Sequence, residues 1–334
     1  MTYEAPDQPS ISPAARVSRR LVVVGERIWT DTLPGAVLNA WGAAVLPHAA
    51  DRLLAEAWMA ASKCLADQLT TDDRFTADRL AEAVRAGAMP YAVVGDSHSR
   101  ILVRRARRGR RWLLPIHRLL TGASARGLSS TESRSGAGEQ LGRDIAPLLR
   151  AAPRILLMFG QVDVEFVHPY RRFRAGRTAF DPIELAAFLD ETVERYVDAL
   201  ARRIAAADRE RIDLVSILPP ALSDLAWRRG YRNAHIAQLH GEADGRIDLA
   251  GLEIPVAAAR VTAHADFNTR LAAAAPALGF GYLDLFAPLM AGPMVDPAFQ
   301  GPAAGQDHHL DYHATREVVL DRLWPWLGRQ AKAG

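Results

Sequence analysis

From residue 90 onward the chain alternates short, unbroken apolar runs with longer segments of helical period, and no other feature limits its fold as tightly. The runs are 91–95 (YAVVG), 112–116 (WLLPI), 154–160 (RILLMFG), 212–218 (IDLVSIL) and 280–286 (FGYLDLF). Several lack polar alternation, which suits strands covered on both faces. Helical segments are expected at roughly 98–108, 137–150, 182–208, 257–277 and 314–328, with Asp181-Pro182 as a start signal for the third. Strand–helix alternation of this kind predicts a three-layer α/β sandwich around a mainly parallel, five-stranded sheet. In such sheets the chemistry sits beyond the carboxyl ends of the strands.

The rest of the chain joins this pattern less clearly. Residues 1–20 are polar and proline-containing and read as an extended or disordered start. Residues 21–89 read as a mostly helical extension, with one possible strand (RLVVVGERIW) followed by helical stretches near 48–68 and 75–88. Residues 221–256 read as an insertion, with tryptophan, tyrosine and histidine but no clear period.

Each strand end carries polar residues of a specific kind. The first runs into Gly95-Asp96-Ser97-His98, where glycine permits a sharp reversal and the serine falls at the start of the next segment. A hydroxyl there lies near unpaired backbone N–H groups, as a nucleophile requires; a polar helix cap is the ordinary alternative. The second strand leads to Gly122 and Gly127 in a loop of small residues. The third ends in Gly160-Gln161-Val162-Asp163, and a buried amide or carboxylate there is costly unless bonded or used. Use is the expectation for Gln161 and Asp163. Near the C-terminus GQDHHLDYHAT brings Asp307, His308, His309, Asp311 and His313 together. Their spacing is unlike that of the binuclear metallohydrolases, so a loop supplying one general base before a final helix is expected, with no metal.

Composition narrows the chemistry by exclusion. Lysine occurs only at Lys63 and Lys332 in 334 residues, which removes a phosphate-binding Gly-Lys-Ser/Thr loop and a mid-chain Schiff base. One cysteine, Cys64, leaves no disulfide framework. No run is long enough to cross a bilayer, and the cytoplasm is the expected address. The arginine run from Arg104 to Arg111 is expected at the carboxyl end of the helix after Ser97. With a formal net charge of only +3, nucleic acid is not an expected partner. PYRRFRAGR (169–177) is instead expected on the active-site side, with its arginines facing an anionic substrate or simply exposed, and Tyr170 and Phe173 against a sugar.

Taken in order, Gly95-Asp96-Ser97, then Gly122, then Gly160-Gln161-Val162-Asp163, then His309 before the last helix resemble the blocks of the SGNH or GDSL-type hydrolase superfamily over roughly residues 90–330. The segment from His264 to Phe286 also resembles that family's penultimate unit. The resemblance implies a flavodoxin-like sheet and a two-step acyl transfer without metal or organic cofactor. Ser97 would be the nucleophile, His309 (or His308) the base and Asp307 the residue that orients it. The backbone of Ser97 and Gly122, with the Gln161 side chain, would form the oxyanion hole; Asp96, His98 and Asp163 are further site candidates. Two departures stand out: Val162 replaces the family's asparagine, and Gln306 replaces its aspartate, with Asp307 one residue late. Gly-Asp-Ser-His suggests a minor branch associated with bacterial polysaccharide or glycoconjugate loci. The expected activity is a serine esterase acting on a small-molecule or glycan ester. The rivals are an O-acyltransferase with the same serine, a non-catalytic binding protein that keeps the fold, and a metal-dependent hydrolase.

Overall fold

The computed structural model describes residues 47–71, 74–130, 136–229, 251–300 and 305–328. The possible strand RLVVVGERIW and most of the 221–256 insertion lie outside the described residues. Helices α1 (Pro47–Thr70) and α2 (Arg74–Arg85) precede strand β1 (Ala88–Gly95). A two-residue strand β2 (Arg107–Arg108) and β3 (Arg111–Leu119) follow, then α3 (Ala137–Ala151), β4 (Ile155–Met158), α4 (His168–Arg174), α5 (Pro182–Arg203), β5 (Ile212–Val215), α6 (Ala257–Ala277), β6 (Gly281–Leu283) and α7 (Arg316–Gly328). No helix of the described residues is long and apolar enough to cross a membrane.

The sheet runs β2-β3-β1-β4-β5-β6. All pairings are parallel except β2 with β3. The five parallel strands thus stand in the flavodoxin-like order, second, first, third, fourth, fifth. Both faces are covered, which is why the strands read as unbroken apolar runs. Ala92, Val94, Ile116, Leu157 and Leu214 face a core shared with α1, α2, α3, α5 and α6. Tyr91, Val93, Leu113, Leu156 and Val215 face a second core closed by Ile101, Leu102 and α7, with Trp326 fully buried. The two sets alternate along each strand, as the period of two requires. Arg118 on β3 pairs with Asp67 of α1 and Asp144 of α3, fastening the first layer to the sheet.

The segment after β1 differs from expectation. In place of a helix over 98–108, a 3-10 helix spans Ser97–Leu102, and the arginine run then forms the β2–β3 hairpin. Burial decides this. The Tyr91 hydroxyl donates to Leu102 O (2.8 Å) and accepts from Arg104 N (3.1 Å), so the chain must straighten where a helix would curl away. Gly109, with φ +60°, then supplies the reversal. The arginines serve the fold. Arg104 is buried and donates to Thr315 Oγ1 (3.0 Å), Arg105 lies over Trp58 and Arg108 over Trp324.

Candidate active site

The chain turns to opposite sides of β1 after β1 itself, placing β3 on one side and β4 on the other, and the crevice at such a reversal is where an α/β sheet presents a site. Two glycines allow close approach there, one to a backbone and one to a side chain. A Cβ on Gly95 would lie 2.4 Å from Met158 O, at the end of β4. A Cβ on Gly160 would lie 2.4 Å from Phe267 Cζ, and its φ of +120° is one that side chains rarely adopt.

Ser97 opens the 3-10 helix and is half-buried. Its Oγ lies 2.8 Å from His309 Nε2, and Nδ1 of the same ring lies 3.0 Å from Asp307 Oδ1. Asp307 also accepts from the His309 backbone N–H (3.0 Å). That local turn is how an aspartate two residues before the histidine reaches its ring. The Tyr312 hydroxyl donates to Ser97 O (3.0 Å), tying the late loop to the serine's own peptide. Ser99, by contrast, is fully buried, donates to Asp96 O (2.6 Å) and lies 2.9 Å from His117 Nε2. This second serine–histidine pair is shut away from any substrate. Burial pushes His117 down to about 3.

The other predicted residues divide into two groups. Asp96 and His98 belong to the crevice. The buried Asp96 caps the 3-10 helix by accepting from His98 N (2.8 Å) and faces His98 Nδ1 (3.0 Å). The His98 ring stacks on His309, centroids 4.7 Å apart, and His308 packs against both at 5.0 and 3.8 Å. Of the two candidate bases, His309 is the one whose ring meets Ser97. Gln161 and Asp163 instead act as ties. Gln161 donates to Glu165 Oε1 (2.8 Å) and accepts from Leu218 N (2.9 Å), so its amide is taken up between the ends of β4 and β5. This differs from the expected oxyanion donor. Asp163, fully buried, accepts from Ala125 N (2.6 Å) and Arg126 N (3.2 Å) and so holds the loop after β3. Gly122 lies in that loop with φ +69°. Leu120 N donates to Gly95 O (2.8 Å), which sets the start of the loop beside the end of β1.

The electrostatics follow from burial and neighbours. Burial pulls His309 below the ordinary histidine range; Asp307 opposes that pull and the His98 charge adds to it. Burial also opposes protonation of His98, but the Asp96 carboxylate outweighs it and the ring titrates above the ordinary range. Asp307 is held well below the usual carboxylate range by its bond to His309. Burial pushes both Asp163 and Glu165 up to about 7.

Two contributors escaped the sequence reading. Tyr312 lies three residues past His309, a spacing that places both on one side of a turn, and Glu165 lies four past Gln161 on a π-helical turn (Asp163–Val167). The 169–177 segment is α4 and its flank. Arg172 is buried and donates to Glu253 O and Thr178 O, while Arg171 and Arg177 pair with Glu191 and Glu184. Arg172 thus serves the fold, while Arg171 and Arg177 form exposed pairs. Phe173 is partly exposed, with its ring 6.5 Å from that of Tyr170.

No family model matches the chain. No curated protein matches it either. Among solved structures, a "putative acylhydrolase" from Bacteroides fragilis is similar at 14% identity and a TM-score of 0.41, over 78% of this chain and 97% of that one.

Proposed function

We propose that the chain is a serine ester hydrolase of the SGNH type, acting on an acylated carbohydrate or glycoconjugate. The observation that carries the reading is the unbroken line from the Ser97 hydroxyl through His309 to Asp307, at 2.8 and 3.0 Å. Both distances lie within the range for a working nucleophile, base and orienting carboxylate. Asp307 accepts the Nδ1 proton, which leaves the lone pair on Nε2 facing Ser97. Burial keeps that ring neutral near neutral pH, as a base must be.

In the first half-reaction Ser97 Oγ attacks the ester carbonyl carbon and its proton passes to His309 Nε2. The carbonyl electron pair moves onto oxygen, facing the backbone N–H groups of Ser97 and Gly122 at adjoining strand ends. Collapse expels the alcohol, which takes the proton from His309, and an acyl-serine remains. Water then repeats the sequence, giving the acid and free Ser97. A sugar hydroxyl in place of water makes the same site an O-acyltransferase. Gln161 and Asp163 act by holding the β3 and β4 loops in register.

The test is intact-protein mass spectrometry after exposure to a fluorophosphonate. A single adduct on wild type, absent from Ser97→Ala of unchanged circular dichroism, is expected. No adduct on folded wild type would overturn the reading in favour of a binding protein, the role that Val162 in place of asparagine favours.

A further inference from the structure

The sequence spacing of His308 and His309 argued against a metal, but the fold adds a third imidazole from 210 positions away. One ring nitrogen from each of His98, His308 and His309 lies within 4.8 Å of the other two. We propose that these three histidines form an inhibitory zinc site, in which the metal takes the ring nitrogen that Ser97 needs. Zinc binding itself stands without the hydrolase reading, and only its inhibitory consequence rests on it.

Three observations support the site. His98 is 1% exposed, and its Nε2 makes no hydrogen bond of ordinary geometry among the described residues, having only the His308 backbone beside it. A buried imidazole nitrogen without a well-placed partner is costly, and a bound cation removes that cost. Secondly, His98 and His309 each face a carboxylate through Nδ1, Asp96 at 3.0 Å and Asp307 at 3.0 Å. A carboxylate on the far nitrogen fixes the tautomer with Nε2 free and makes the ring a better donor, as in established zinc sites. Thirdly, three imidazole nitrogens with an open fourth position suit zinc better than calcium or magnesium, which prefer oxygen, and His98 gives up the proton that Asp96 favours as the metal binds.

The geometry needs a local rearrangement of the rings. Zinc–nitrogen bonds of about 2.0–2.1 Å place tetrahedral nitrogens about 3.4 Å apart, so the nitrogens must close by up to about 1.4 Å and the packed rings must turn until their lone pairs converge. His308 and His309 sit in turns between residues 305 and 310, outside any helix or strand, where such a shift is cheap. Ser97 Oγ, 2.8 Å from His309 Nε2, stands beside the fourth position. On binding, the His309 Nε2 lone pair goes to the metal and the Ser97 hydroxyl loses its proton acceptor.

The experiment is a zinc titration of the full chain against a chromophoric chelator, with fluorophosphonate labelling run in parallel with and without zinc. One equivalent of tight binding is expected on wild type, weakened roughly tenfold or more in His98→Asn and in His308→Asn. Ser97→Ala should keep most of the affinity, since three nitrogens remain. Zinc should suppress labelling of wild type at the concentrations at which it binds, and chelation should restore it. Absence of binding, or affinity unchanged in both histidine variants, overturns the site. Binding without loss of labelling overturns the inhibition. Failure of labelling before zinc is added counts against the hydrolase reading alone. Cobalt(II) reads the same site with no substitution: a visible absorption band saturating at one equivalent is expected, and its absence overturns the proposal even where a variant fails to fold.

Discussion

Replacing Glu165 with glutamine should flatten the dependence of stability on pH. The Glu165 carboxyl is buried, takes one hydrogen bond from Gln161 Nε2, and has its second oxygen without a partner among the described residues. Burial raises it from 4.5 to about 7. An acid whose folded value is raised gives up its proton more readily when unfolded, so ionisation favours the unfolded chain. The penalty is absent below the unfolded value, grows as pH rises through the interval up to about 7, and is constant above it. At about 1.36 kcal/mol per pH unit, the two values imply that Glu165 alone costs about 2–3 kcal/mol of stability between about pH 5 and pH 8. Glutamine keeps the oxygen that accepts from Gln161 but has no proton to lose. Any fixed cost of its buried NH2 group is the same at both pH values and cancels in the difference. Guanidinium unfolding of wild type and Glu165→Gln at the two pH values gives that difference directly. Wild type should lose about 2–3 kcal/mol more than the variant on going to the higher pH. An equal loss in both would refute the placement of Glu165 as a buried acid.

Asp163→Ala should cost about 2–4 kcal/mol of stability and slow fluorophosphonate labelling, because it strands the buried N–H groups of Ala125 and Arg126 and frees the loop that bears Gly122; denaturant unfolding and labelling rates check the two effects. Gly160→Ala should cost about 2–4 kcal/mol from its positive φ and its collision with Phe267, again read by denaturant unfolding. Labelling of wild type should fade as pH falls through a value below the ordinary histidine range, since only neutral His309 accepts the Ser97 proton. In His98→Asn, with the neighbouring charge gone, the fade should begin at higher pH; in Asp307→Asn, with the opposing carboxylate gone, at lower pH. Labelling rates measured across pH decide both.

Much of the sheet was legible because burial on both faces removes polar alternation: the runs at 91–95 and 112–116 fall wholly on parallel strands, and those at 154–160, 212–218 and 280–286 contain the shorter β4, β5 and β6. The helix expected at 257–277 has those bounds in the structure. The arginine run misled because arginine is a good helix former, and nothing local shows that Tyr91, thirteen residues earlier, claims Arg104 N. At the candidate site, the meeting of Ser97 with His309 and Asp307 was legible because the turn after β1 and the loop before the last helix both fall at the carboxyl end of the sheet. The part played by Gln161 was not, since a side-chain amide reads alike whether it meets a substrate or Leu218 N. Nor was the nearness of His98 to His308, because contact between loops depends on the whole topology and leaves no periodic trace.

The bond between Ser97 and His309 closes a loop of 212 residues. Tyr312 to Ser97 and Arg104 to Thr315 close loops of almost the same length. Closure entropy grows only with the logarithm of length, so such a span costs little more than one of half its size. What governs the seam is the packing across it, where His308 and Leu310 are buried and α7 closes the second core over Tyr91, Ile101 and Leu102. Parting Ser97 from His309 therefore takes more than one broken hydrogen bond, because the buried side chains of the late turn must leave the core with it. The meeting of Ser97 with His309 is thus a report on whether the two ends of the domain are joined.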